Sequence, residues 1–180
     1  MKVLIAYAST EGQTRKIAQR LADHIVDGGR SVELVELANA TRMDLQRFDG
    51  VILAASVHVG HYQRALTNFA AERSKDLQAK STLFLSVSLA AAGHDAEDWK
   101  GLDKIKEEFI EATGWTPSRV EQVAGAYVPS EYDIFRRFIM RRILAARNPE
   151  ADLDADKEYT DWNSLYRTTD DWLAGINGAD

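Results

Sequence analysis

Short apolar runs alternate with longer amphipathic stretches along this chain. Val3-Leu4-Ile5-Ala6-Tyr7-Ala8 is an apolar run closed by Ser9 and Thr10, as expected of a strand buried on both faces. From Thr14 onward, Ile17, Ala18, Leu21, Ala22 and Ile25 share one helical face, and Gly28-Gly29 ends that helix. Residues 32–37 alternate apolar and polar positions and predict an edge strand. Residues 50–55, 81–87 and 120–127 predict three more strands, and 62–71, 102–112 and 161–176 predict helices. Strands and helices alternating at this pitch predict right-handed βαβ units. The expected fold is a single α/β domain over residues 1–180, with a doubly wound five-stranded parallel sheet in the order 2-1-3-4-5.

One stretch falls outside that scheme. Residues 129–158 form an excursion where such a fold needs a connection of only a few residues. Its segment 134–147 has helical propensity, with five arginines and no acid. Ile134, Phe135, Phe138, Ile139, Ile143 and Ala146 share one half of the helical wheel. Arg142 intrudes on that half, and Met140 and Leu144 fall on the basic half. Such a helix could lie on an anionic membrane, contact a substrate through Arg136, Arg137, Arg141 and Arg142, or only pack on the domain. Since the sheet is complete without it, removing 129–158 is expected to leave the fold in place.

In an open parallel sheet, ligands bind outside the carboxyl ends of the strands. The first such loop, Ser9-Thr10-Glu11-Gly12-Gln13-Thr14, runs into a helix amino terminus, where free N–H groups attract a phosphate. Three hydroxyls and a glycine suit a monophosphate such as that of FMN, although Ser and Thr are also ordinary helix caps. There is no Walker lysine and no G-x-G-x-x-G, which argues against nucleoside triphosphates and dinucleotides. After the third strand, Ser56-Val57-His58-Val59-Gly60-His61-Tyr62 suits a loop lying along a flavin ring. The other reading makes His58 and His61 surface histidines and Tyr62 a core anchor. After the fourth strand, Ser86-Val87-Ser88-Leu89-Ala90 is small-chained and offers backbone groups to a ring edge. No side chain in these loops stands out as a catalytic acid or base. No metal site is expected, because the histidines have no carboxylate or third histidine nearby in sequence.

Composition narrows the chemistry. The chain has no cysteine, so a disulfide, a thiolate metal site, a cysteine nucleophile and a redox CxxC pair are all excluded. Any electrons must travel through a bound cofactor. The net charge of −6 is uneven, since residues 150–180 hold nine acids against two bases and the rest of the chain is almost neutral. No nucleic-acid partner is expected. The opening Met-Lys runs straight into a strand and no long apolar window follows. The expected compartment is the cytoplasm, with peripheral contact on the inner face of the cell membrane through the basic helix.

The S-x-E-G-Q-T loop, the S-V-H-V-G-H-Y loop and the late Tyr159-Thr160-Asp161-Trp162, taken together, resemble the quinone-dependent protoporphyrinogen oxidases of the flavodoxin superfamily. The resemblance runs over nearly the whole chain. It implies a flavodoxin-like fold and FMN, with the phosphate on residues 9–14 and the ring between the loops around Gly60 and Ser88. It also implies oxidation of protoporphyrinogen IX to protoporphyrin IX, with menaquinone or ubiquinone taking the electrons. The acid at Glu11 suits that family better than a plain flavodoxin, and His58 stands where the family pattern suggests a longer cation.

Three rival functions share the fold class. A flavodoxin carrier would place acids around the flavin edge, yet the three loops hold only Glu11 and Asp95. An NAD(P)H:quinone reductase would need a nicotinamide site, which no motif provides. A relative without flavin would serve only as an interaction module. Response-regulator receivers need an acidic pair after the first strand and an aspartate ending the third, where this chain has Ser9-Thr10 and Ala55-Ser56.

Overall fold

The computed structural model describes residues 1–40, 42–131, 140, 150 and 152–177. In chain order, β1 (Lys2–Ala8) leads to α1 (Gln13–Asp27), β2 (Ser31–Glu36), β3 (Gly50–His58) and the short β4 (His61–Tyr62). Then follow α2 (Arg64–Glu72), α3 (Ser74–Gln78), β5 (Ser81–Ser88), α4 (Ala96–Thr113) and β6 (Arg119–Ala124). The chain closes with β7 (Ala126–Tyr127), β8 (Lys157–Glu158) and α5 (Trp162–Asn177). Parallel pairing in the order β2-β1-β3-β5-β6 reproduces the predicted doubly wound topology, with β4 hung antiparallel on β3.

The apolar runs are buried on both faces because helices cover the sheet on both sides. Leu4, Ala6, Val51, Leu53 and Phe84 pack with Leu66 and Phe69 of α2, Leu77 of α3 and Phe109 of α4. Val3, Ile5, Ile52 and Leu85 pack with Ile17, Leu21 and Ile25 of α1 and Leu165, Trp172 and Leu173 of α5. Each fully buried Leu or Ile contributes roughly 1.5–3 kcal/mol. Gly50 is required at the start of β3, because a Cβ there would lie 2.6 Å from Ile176 Cδ1 and 2.8 Å from the Trp172 ring. That close approach seats α5 on the sheet.

Three boundaries differ from the predicted ones. β3 continues through Ser56, Val57 and His58 and turns back as a hairpin, so the helix predicted from residue 62 begins at Arg64. α4 begins at Ala96, because Asp95 accepts N–H bonds from Glu97 and Asp98 at 2.9 and 3.1 Å and caps a polar first turn. The last sheet strand ends at Ala124, where the Gly125 N–H donates to the Ser88 carbonyl at 2.9 Å. Ala126 and Tyr127 then pair antiparallel with Glu158 and Lys157 in a separate ribbon. The predicted excursion, 129–158, therefore returns into the fold before it ends, and cutting it away whole would remove β8. Arg136, Arg137, Arg141 and Arg142 lie outside the described residues. No helix among the described residues is long and apolar enough to cross a membrane.

Candidate cofactor site

The loop of residues 9–14 runs directly into the start of α1. Gly12 takes the left-handed conformation, φ 93°, immediately before α1, and a Cβ built on it would meet nothing within 4 Å. Its N–H donates to Ser9 Oγ at 3.1 Å, which curls the loop. The first intrahelical bond runs from the Lys16 N–H to the Gly12 carbonyl. The N–H groups of Gln13, Thr14 and Arg15 thus precede any intrahelical acceptor and face the end of the helix. No acid lies in the first turn of α1. Thr10 is exposed, Ser9 and Glu11 are half-buried, and Thr14 is buried beneath the loop. Open space at a glycine, N–H donors at the start of the helix and neighbouring hydroxyls form a donor set that fits a phosphate monoester. The FMN phosphate is such a group, so the residues present fit the expected cofactor.

The second wall is the β3–β4 hairpin. Val57 pairs with Tyr62 and His58 with His61, leaving a two-residue turn of Val59 (φ 49°) and Gly60 (φ 78°). Val59 is 95% exposed and is the sole non-glycine with positive φ among the described residues. His58 Nε2 lies 3.1 Å from Ser56 Oγ. The third wall is the turn after β5, where Ser88 Oγ accepts the Ala91 N–H at 3.1 Å and Leu89 and Ala90 are half-buried.

Three residues expected at the cofactor are committed to the core. Tyr62 is buried between Phe84 and Phe109, with ring centroids 5.1 Å from each, and donates its hydroxyl to Ser86 Oγ at 2.9 Å. Burial raises the Tyr62 pKa, only partly offset by the Ser86 bond, so the phenol stays protonated. Ser86 and Val87 are buried within β5. Their backbone positions the turn, while their side chains are shut away from it. The core-anchor reading of Tyr62 is the one the structure takes. A shallow pocket of about 210 Å³ shares Gly60 and His61 with the site, but draws its other walls from Tyr62, α2 and α4 and none from the phosphate loop.

Gln63 belongs to the site and was missed by the sequence reading. Its Nε2 donates to Ser56 Oγ at 2.6 Å and to Thr10 Oγ1 at 3.4 Å, joining the hairpin to the phosphate loop. The Oε1 of the same amide is buried without a partner among the described residues, a state that costs about 1–3 kcal/mol.

The Y-T-D-W stretch closes the fourth side. Thr160 is buried, and its hydroxyl accepts from Gln13 Nε2 at 2.9 Å and donates to the Ala124 carbonyl at 2.7 Å. Glu158 pairs with Lys16 and accepts the Trp162 indole N–H at 2.6 Å. Burial raises its pKa, but hydrogen bonds from Lys16, Trp162 and Gln13 and the Lys16 charge outweigh that. Its carboxyl therefore sits below the usual range. The Arg20 guanidinium stacks 4.4 Å from the Trp162 ring centre.

Protoporphyrinogen IX dehydrogenase (quinone) of Escherichia coli strain K12 is 27% identical over 165 residues, which span 92% of this chain and 91% of the relative. The protein of the same name from Leishmania major is 27% identical over 174 residues, covering 96% of this chain and 75% of its own. Among solved structures, a Streptococcus pneumonia TIGR4 flavodoxin superposes with a TM-score of 0.52 at 22% identity, covering 82% of this chain and 99% of that one. Oxidised flavodoxin 1 from Bacillus cereus superposes at 0.50 with 19% identity, covering 73% and 89%. The flavodoxin domain model matches residues 4–154, most of the chain. With the strand order and the phosphate loop as described, the chain belongs to the flavodoxin domain family.

Proposed function

We propose that this protein is an FMN-dependent oxidoreductase that converts protoporphyrinogen IX to protoporphyrin IX and delivers the electrons to a quinone. The observation that carries this reading is the extent of the match to the Escherichia coli relative, 92% of one chain and 91% of the other. The two flavodoxin structures cover less of the chain, 82% and 73%. The Y-T-D-W stretch beside the phosphate loop supports the same reading.

FMN, when bound, supplies reversible two-electron chemistry. The chain's own groups bind and orient. Ser9, Thr10 and the N–H groups at the start of α1 would hold the phosphate. The Val59-Gly60 turn and the Ser88–Ala90 turn would flank the ring with backbone groups. Removing six electrons and six protons from the porphyrinogen takes three rounds and reduces three quinones to quinols. With no thiol in the chain, every electron must pass through the cofactor. The basic segment 134–147 would bring the protein to an anionic membrane surface, where quinones reside.

The test is steady-state turnover of the pure FMN-loaded protein with protoporphyrinogen IX and soluble menaquinone and ubiquinone analogues, followed by porphyrin fluorescence. Quinone-dependent porphyrin formation is expected. Efficient quinone reduction with NADPH as sole reductant, and none with porphyrinogen, would place the protein among the reductases instead.

A further inference from the structure

The late Y-T-D-W stretch lies outside the three loops that bind ligands in this fold, yet its threonine is buried against the first of them. Thr160 Oγ1 has one proton to give and lone pairs to accept with, and both functions are used. It accepts from the side chain of Gln13, the first residue of α1, at 2.9 Å, and donates to the Ala124 carbonyl at the end of β6, at 2.7 Å. The backbone continues the connection. The Tyr159 N–H donates to the Gly125 carbonyl at 3.0 Å, and the Gly125 N–H donates to the Ser88 carbonyl at 2.9 Å. Gly125 permits that approach, since a Cβ there would crowd Val87 Cγ1 at 3.2 Å. A run of hydrogen bonds therefore joins the start of α1 to the turn after β5, with Thr160 as its one side-chain hydroxyl.

We propose that Thr160 is a positioning residue for the cofactor phosphate: acting through Gln13, it fixes the start of α1 relative to the turn after β5. This rests on the FMN reading above and adds a function for a residue outside the ligand loops. A phosphate held by several backbone N–H groups needs all of them aimed at one point. An anchor on the first residue of the helix limits how far that point can drift. The same anchor carries the returning leg of the excursion, because β8 and Glu158 lead directly into Tyr159 and Thr160. The Thr160 hydroxyl thus works beside the Lys16–Glu158 pair in holding loop and excursion together.

The experiment compares FMN with riboflavin, which lacks the phosphate. Apoprotein is titrated into each flavin and its fluorescence quenching gives Kd for wild type, Thr160→Val, Thr160→Ser and Gln13→Leu. Thr160→Val, nearly the same shape without the hydroxyl, should weaken FMN binding roughly tenfold and leave riboflavin binding within about twofold. Thr160→Ser should recover most of the FMN affinity. Gln13→Leu should reproduce the Thr160→Val loss, and the double variant should be no weaker than either single one. Equal FMN affinity in wild type and Thr160→Val overturns the proposal. So does an equal loss for FMN and riboflavin, which marks a purely structural role. If Thr160→Val does not fold, the Gln13→Leu ratio of FMN to riboflavin affinity decides alone. Wild-type apoprotein that binds neither flavin overturns the FMN reading itself, an outcome distinct from the other two.

Discussion

The hairpin after β3 and the strap of residues 157–162 both border the candidate site, but they are held in different ways. The hairpin rests on a two-pair ladder and a turn whose tip, Val59, is almost wholly exposed at φ 49°. Two-residue hairpin turns with positive φ at both positions favour Asn-Gly, and a β-branched residue there is a true conformational outlier. The strap has no strained residue. It is fixed by buried Thr160, the Lys16–Glu158 pair and the Trp162 indole bond. One wall stores strain at its tip, and the other spends its polar groups on rigidity. Strain of this kind persists where the surroundings enforce it and clusters at functional sites. The hairpin is therefore the wall expected to move during turnover, and the strap the wall that keeps the phosphate loop in place.

The largest effect should come from filling the cradle that the strap supports. Gly12→Val places a side chain in open space at a left-handed position, so it adds strain and occupies the region where a phosphate would sit. FMN affinity should fall by about a hundredfold or more, measured by fluorescence titration, from lost phosphate contacts worth more than 2.7 kcal/mol. Riboflavin should lose less, and equal losses would detach the loop from the phosphate.

The hairpin should respond in the opposite sense. Val59→Asn relieves the positive-φ strain and should stabilise the protein by about 1 kcal/mol in a denaturant titration. If Val59 also serves the reaction, turnover falls as stability rises. An unchanged midpoint would mean that the turn carries no strain.

The smallest effect should be that of Glu158→Gln. Its side chain is partly exposed and solvent screens the ion pair, so the loss should stay within about 1 kcal/mol at neutral pH. The folded-state pKa is depressed, so the stabilisation is present above the unfolded value and is lost as pH falls through the folded one. The melting difference between wild type and Glu158→Gln should therefore begin to narrow as pH falls below the ordinary glutamate value of about 4.3, and close at more acid pH. A difference that persists at acid pH would assign the effect to packing.

The parts of this molecule legible in the sequence are those set by local pattern. The apolar run of residues 3–8, the face from Ile17 to Ile25 and the glycine at position 12 each carry their own signal. The hairpin was hidden because Ser56 and His58 interrupt the apolar run and β4 is only two residues long. It forms because Tyr62 finds Ser86 and two phenylalanine rings in the core. The links that Gln63 and Thr160 make to the first loop are hidden from any local pattern. Their partners, Thr10 and Gln13, are 53 and 147 positions away in the chain. The break at Gly125 likewise depends on the Ser88 carbonyl, a contact between strands that no local window contains.

The most direct test of the account is the reductive half-reaction. FMN-loaded protein is mixed anaerobically with protoporphyrinogen IX in the absence of quinone, and the flavin absorbance is followed. The account predicts that the flavin bleaches, with no more than one porphyrin formed for every three flavins reduced, and that added quinone restores the colour and carries the oxidation to completion. Flavin that stays oxidised with porphyrinogen yet bleaches with NADPH would contradict it.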